Sequence, residues 1–215
     1  MRRTSRLPLE SLVPFLYEQP DPPVPFDVRT VFGNDNPLEI EVGFGKGLFL
    51  LTAATAHPEV NYLGIEVLRK YQLLAATRLA RQELTNVRLA KADARQFLRA
   101  AVADGSVQAV HVYFPDPWWK TRHHKRRVFT EEFAAQCERV LRPGGILSLA
   151  TDVEAYFQVM TELLAPRTAF RLLSPPPEKP PEHDLDYLTN FERKFRKEGR
   201  AIYRAQYQQN DDIRV

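Results

Sequence analysis

The chain has 215 residues, 44% hydrophobic and 27% charged, enough for one globular domain with its own core and ordinary for a soluble one. Its net charge of +3 and pI near 9.0 are only mildly basic, no apolar run approaches the roughly 18 residues that cross a bilayer, and residues 1–6, though basic, lack a signal-type apolar sequel. Cys137 is the single cysteine, which excludes a disulfide scaffold or a cysteine-rich metal site and, with the rest, predicts a cytoplasmic protein.

Residues 1–37 are proline-rich, with Pro20, Pro22, Pro23 and Pro25 close together, and read as an irregular arm. From Leu38 short apolar runs alternate with longer helical periods. Leu38–Val42 reads as a strand and Leu48–Ala56 as a helix. Residues 62–67 form the next strand, followed by a helix with Tyr71, Leu74, Ala75 and Leu79 at core spacing. A third strand spans 87–92 and a helix spans 94–102. The fourth strand, 109–114, ends abruptly at Pro115. Thr130 has the character of an N-cap, with Glu131 and Glu132 suited to the positive end of the helix dipole. That helix stops at Pro143-Gly144-Gly145, and 146–150 form a fifth strand. The pattern weakens after Leu164, through the proline-rich stretch 174–181, and 201–207 read as a last, antiparallel edge strand. This alternation predicts an α/β, doubly wound, mostly parallel sheet of Rossmann-like type over residues 38–215 as a single domain.

The first strand runs into Glu41-Val42-Gly43-Phe44-Gly45-Lys46-Gly47. Glycines let the main chain turn sharply and approach a ligand closely. The plainer reading is a tight strand-to-helix turn, and the spacing is not the G-x-G-x-x-G of dinucleotide binding. Three acids sharpen the signal: Glu41 beside the loop, Glu66 ending the second strand 25 residues later, and Asp93 ending the third. Singly, each is more often a helix cap or a surface acid. Together, at successive strand ends, they outline a nucleoside pocket whose acidic lining suits a sulfonium better than a pyrophosphate.

The fourth strand ends in Phe114-Pro115-Asp116-Pro117-Trp118-Trp119-Lys120, holding Asp116 on a stiff elbow beside the only two tryptophans. Each tryptophan is read either as a stacking surface for a base or as core. Lys120 to Arg127 then carry five Lys/Arg and two His in eight residues, and a second basic run comprises Arg193, Lys194, Arg196, Lys197 and Arg200. A basic run is commonly a solvated face. Here both runs adjoin site-forming residues, which favours contact with nucleic acid. His123 and His124 are adjacent and lack companion ligands, so no metal is expected. Cys137 shares an apolar helix face with Phe133, Val140 and Leu141 and reads as core.

These residues resemble the bacterial single-chain tRNA (guanine-N7)-methyltransferase family of class I S-adenosylmethionine enzymes. The likeness spans residues 38–207 and rests on the glycine loop, Gly64-Ile65-Glu66-Val67, Ala92-Asp93-Ala94, the Pro-Asp-Pro-Trp segment, His123-His124-Lys125-Arg126-Arg127, Thr151-Asp152 and Thr189-Asn190-Phe191-Glu192. It implies cofactor binding by Glu41, Gly43, Gly45, Gly47, Glu66, Asp93 and Asp116, with Asp116 also at the reaction centre. It further implies substrate contacts from Lys120, Asp152, Thr189, Asn190, Phe191 and Glu192. Arg122, Lys125, Arg126 and Arg127 are expected on tRNA phosphates. The implied reaction is methylation of N7 of a guanosine in the tRNA variable loop. Three rivals are an enzyme methylating another RNA position, an idle RNA-binding module on the same fold, and a nicotinamide dehydrogenase. The glycine spacing disfavours the last.

Overall fold

The computed structural model describes residues 7–118, 120–174, 183 and 187–210. Trp119 lies outside the described residues, as does most of the proline-rich stretch. In chain order the elements are β1 (Leu16–Tyr17), α1 (Val28–Phe32), β2 (Leu38–Val42), α2 (Leu48–Ala56), β3 (Asn61–Glu66), α3 (Arg69–Arg81), β4 (Val87–Lys91), α4 (Ala94–Ala101) and β5 (Val107–Tyr113). They continue with α5 (Glu131–Val140), β6 (Leu141–Thr151), α6 (Glu154–Leu164), β7 (Phe170–Leu173), α7 (Asn190–Lys197) and β8 (Tyr203–Gln209).

The strands form one sheet in the order β1-β4-β3-β2-β5-β6-β8-β7. Seven of the eight point the same way; β8 alone runs opposite, antiparallel to both β6 and β7. The expected C-terminal antiparallel strand is therefore present, but it is inserted between β6 and β7, and the sheet's edge is β7. Helices α4, α5 and α6 pack one face through Phe97, Leu98, Phe133, Cys137, Tyr156 and Met160, against Ile40, Val42, Val110 and Leu149. Helices α2 and α3 cover the other through Leu50, Ala75 and Leu79, against Tyr62 and Leu89. Cys137 is wholly buried, as its helix spacing implied.

Strand ends differ from expectation for local reasons. Phe114 takes φ +51°, which no strand residue adopts, so β5 stops at Tyr113 although Phe114 N–H still donates to Ala150 O at 2.7 Å. β6 begins earlier than expected because Leu141 already pairs with Val107. The Pro143-Gly144-Gly145 segment is taken up where the register jumps before Ala109↔Ile146.

The N-terminal segment carries more structure than an irregular arm. Two short 3-10 turns lead into β1, which pairs with β4, and Asp27 caps α1 by accepting from Arg29 N–H at 3.1 Å. Leu12 is completely buried, Phe26 N–H donates to Ala101 O at 2.7 Å, and Tyr17 meets Phe26 and Phe97 edge-on. Burying a leucine contributes about 1.5–3 kcal/mol, enough to anchor so short a segment to the sheet. Strand pairs this brief have no periodicity to read.

The order reverses at β2, which lies between β3 and β5. Connections leaving β2 and β5 therefore diverge to opposite faces and open a crevice at the carboxyl ends of these strands. The glycine loop follows β2, and the Pro-Asp-Pro elbow follows β5. Topology alone puts the two motifs side by side.

Candidate active site

In the glycine loop, Gly43 N–H donates to Ile65 O and Gly47 N–H to Phe44 O, both at 2.8 Å. Gly47 opens α2 at φ +70°, and a Cβ there would lie 2.7 Å from Ala75 Cβ, so the turn and the α2–α3 approach both need glycine. Gly45 N–H donates to Glu66 Oε2 at 3.2 Å, while Glu66 Oε1 accepts from Leu68 N–H at 3.0 Å. Glu66 thus braces the loop from the end of β3.

A cavity of about 250 Å³ opens above the loop. Glu41, Gly43, Phe44, Phe49 and Tyr113 form one side, and Thr189, Asn190 and Phe191 at the start of α7 form another. Glu41 is only 2% exposed, and its Oε2 has no hydrogen-bond partner. Burial, with the neighbouring Glu66 carboxylate adding to it, pushes the Glu41 carboxyl up to about 8. An orphaned buried acid on a cavity wall is a site built for a cationic or donor-rich ligand. The rim is of opposite sign, with Lys46, Arg193, Lys194 and Lys197.

The other implied cofactor acids stand differently. Asp93 caps α4, accepting from Arg95 N–H at 3.0 Å and from the Arg95 guanidinium at 2.6 and 3.1 Å. Those bonds hold its carboxyl below the usual range. Asp116 is exposed on the elbow, outside the cavity lining. The elbow is bounded by two left-handed residues, Phe114 at φ +51° and Trp118 at φ +45°. Each such residue costs on the order of 1–3 kcal/mol, a strain that concentrates where function demands a fixed geometry. Arg127 supports the elbow from within: its Nε donates to Pro117 O at 2.7 Å, and its guanidinium lies 5.1 Å from the Tyr156 ring. Arg127, expected among the phosphate contacts, is half-buried by these contacts. Lys120, Arg122, Lys125 and Arg126 are exposed, with Arg126 5.0 Å from the Trp118 ring and His123 edge-on to that ring. Trp118 is thus half-buried among cations, not in the core.

The implied substrate contacts are joined by α7. Thr189 caps the helix by accepting from Glu192 N–H at 3.0 Å, and Glu192 reaches back to accept Leu188 N–H at 2.8 Å. Glu192 is buried and also receives Arg196 and Arg204. Phe191 rests over Gly45, stacked on Phe195 and tilted against Phe114. Asp152 lies beyond β6, paired with Arg200, whose guanidinium sits 4.2 Å from the Phe195 ring.

Behind the cavity runs a buried polar line that the sequence reading did not assign. His111 bridges Tyr113 and Glu39, and Glu39 also accepts from Gln108 at 3.0 Å. The available signal was a histidine in an apolar strand facing two acids spaced by two.

A family model described as a putative methyltransferase matches residues 35–205. A tRNA (guanine-N(7)-)-methyltransferase from Rhodopirellula baltica is 48% identical over 194 residues, covering 87% of this chain and 71% of that protein. The chain belongs to the tRNA (guanine-N7)-methyltransferase family. A second member, from Hydrogenovibrio crunogenus, is 39% identical over 82% of this chain and 74% of its own. Among solved structures, the 16S rRNA methyltransferase KamB superposes with a TM-score of 0.59 at 18% identity, covering 85% of this chain and 92% of that one. At that identity the likeness speaks for the fold, which is the methyltransferase α/β sheet. No described helix is long and apolar enough to cross a membrane, and no cluster of potential metal ligands occurs among the described residues.

Proposed function

We propose that this protein transfers a methyl group from S-adenosylmethionine to N7 of a guanosine in the tRNA variable loop, acting in the cytoplasm. The observation that carries the reading is Glu41, a buried carboxyl with an unpartnered oxygen on the wall of a cavity floored by the glycine loop. The tRNA substrate and the N7 position come from the relatives' names and from the Pro-Asp-Pro elbow beside that cavity.

The bound cofactor supplies an electrophilic methyl group on a sulfonium. Glu41 would accept from its donors, with the loop backbone from Gly43 to Gly47 and the Glu66 brace shaping the cradle. Guanine N7 carries an in-plane lone pair, so no residue must remove a proton before attack. The chain's work is alignment, which can supply about 7–11 kcal/mol at best, and stabilisation of the charge that develops on the purine. Asp116, on its rigid elbow, serves that second purpose as an acceptor near the base. Asp152 orients the base, and the Thr189–Glu192 cap carries Asn190 and Phe191 to the cavity. Lys120, Arg122, Lys125 and Arg126 form an exposed cationic strip for the phosphates.

The deciding experiment is transfer from radiolabelled S-adenosylmethionine to unmodified tRNA, followed by borohydride reduction and aniline cleavage at 7-methylguanosine. Cleavage at one variable-loop guanosine is the expected result. Incorporation without cleavage would move the target to another atom, and no incorporation would overturn the reading.

A further inference from the structure

We propose that Arg200 is a positioning residue for Asp152, fixing the carboxylate that recognises the target guanine; this assignment rests on the methyl-transfer reading above. The Asp152 side chain is 8% exposed, just past the end of β6. The turn there is set by Thr151, whose Oγ1 accepts from Val153 N–H at 3.2 Å. A carboxylate so enclosed requires a cationic or donor partner. Arg200 provides it through Nη2 on Oδ2. Among the described residues, Oδ1 carries no bond.

Arg200 is itself fixed from two sides. Its backbone N–H donates to Phe195 O at 2.9 Å, immediately after Gly199, which takes φ +70° beyond the end of α7. Its guanidinium lies 4.2 Å from the Phe195 ring centroid, and Phe195 stacks on Phe191 of the cavity wall at 6.0 Å. The planar fork is thus clamped between a ring and a carboxylate, a role that a flexible ammonium fills poorly. Holding one oxygen orients the other. Guanine offers two donors on one edge, N1–H and the 2-amino group, and a carboxylate of fixed orientation reads them while one of set charge but free rotation does not. An arrangement that blocked Asp152 would occupy both oxygens. This one leaves Oδ1 to the substrate and links recognition to the α7 wall through Phe195.

The test compares wild type, Arg200→Gln and Arg200→Lys. Each acts, at saturating cofactor, on a tRNA transcript carrying guanosine and on one carrying inosine at the methylated position. Inosine keeps N7 and N1–H but lacks the 2-amino donor. Comparing enzymes on the same pair of transcripts cancels any effect of inosine on the tRNA fold. Arg200→Gln is expected to lower kcat/KM for tRNA by about tenfold to a hundredfold, the cost of removing the cation from an enclosed carboxylate, and to bring the guanosine/inosine ratio towards one. Cofactor affinity by calorimetry should stay within about twofold. Arg200→Lys, which keeps the charge and serves if the glutamine variant fails to fold, should recover part of both losses. An unchanged ratio in both variants, or a wild type that treats both transcripts alike, overturns the proposal. A faster Arg200→Gln enzyme also overturns it by making Arg200 a block. A wild type that methylates neither transcript instead overturns the underlying reaction.

Discussion

His111 Nδ1 lies 2.8 Å from the Tyr113 hydroxyl, two residues along the same buried strand. Glu39 Oε2 sits 2.9 Å from His111 Nε2; with the carboxylate accepting from Nε2–H, Nδ1 is left to accept from the tyrosine hydroxyl. Phe49 packs over both rings, at 4.5 and 5.2 Å. The tyrosine ring on the cavity wall is therefore tied through the sheet to an acid on the neighbouring strand. His111→Phe keeps the ring volume but removes one hydrogen bond from the Tyr113 hydroxyl and one from the half-buried Glu39, which keeps Gln108, and is expected to cost about 0.5–1.5 kcal/mol for each. Urea unfolding measures this; a loss below about 0.5 kcal/mol would mean that the line carries no weight.

Glu41 makes stability depend on pH and, if it holds the cofactor as proposed, binding as well. Its folded pKa, about 8, lies above the ordinary value of 4.5, so the folded state holds a proton that the unfolded state releases between these values. The stability from this group is fully present below about pH 4.5 and is lost as pH rises through 8. Glu41→Gln should flatten that slope in unfolding experiments at pH 5, 7 and 9. Binding of a cationic cofactor at pH 7 should expel about one proton from the wild type and none from the variant. Calorimetry in buffers of differing ionisation enthalpy reads that number directly.

Asp116 is exposed, so its removal should spare the fold: Asp116→Ala and Asp116→Asn are expected to unfold within about 0.5 kcal/mol of the wild type. Turnover should fall by about 10²–10³ if the carboxylate stabilises charge on the purine. A folded Asp116→Ala with near-normal kcat would remove it from the reaction centre.

Neighbouring arginines should separate by phenotype. Arg126→Ala, on the exposed strip, should weaken tRNA binding and reduce the slope of log K against log salt by about 0.7–0.9, the loss of one phosphate contact. Arg127→Ala removes the post under Pro117 and should instead lower thermal stability and kcat while leaving that slope nearly unchanged. Equal slope changes in both would place Arg127 on the phosphate face after all.

Gly64 is the tightest point beneath the loop. A Cβ there would stand 2.5 Å from Leu50 Cδ1 and 2.6 Å from Phe44 Cδ1. Gly64→Ala should therefore cost about 1–3 kcal/mol through overpacking. Because Phe44 lines the cavity, it should weaken cofactor binding as well, and calorimetry beside urea titration would reveal both.

Local signals made part of this molecule legible. The β/α alternation, the glycine loop and the Pro-Asp-Pro elbow are written in spacing and backbone chemistry, and they recur where expected. Thr130 caps α5, accepting from Phe133 N–H at 3.2 Å. Asp93 shows where such reading stops, because an acid at a strand-to-helix junction suits a cap and a ligand contact alike. Arg95, which donates to Asp93, is two residues away and equally silent. Pairings across long separations leave no local trace: Glu39 with His111, Asp152 with Arg200, β8 between β6 and β7. Arg126 ends a 3-10 turn over Thr121–Arg126, while Arg127 just beyond it folds back under Pro117, a difference that composition does not encode.

Because β8 comes after β7 in the chain yet lies inside it in the sheet, assembly cannot proceed in the order of synthesis. β7 emerges with no neighbour to pair with and must wait until residues 203–209 have been made and have slotted between it and β6. Arg200 and Arg204, the partners of Asp152 and Glu192, arrive in that same late segment. A nascent chain therefore completes the glycine-loop side of the cavity first and the side that holds Asp152 and α7 last. Closure of this long-range strand pair is the expected slow step of folding.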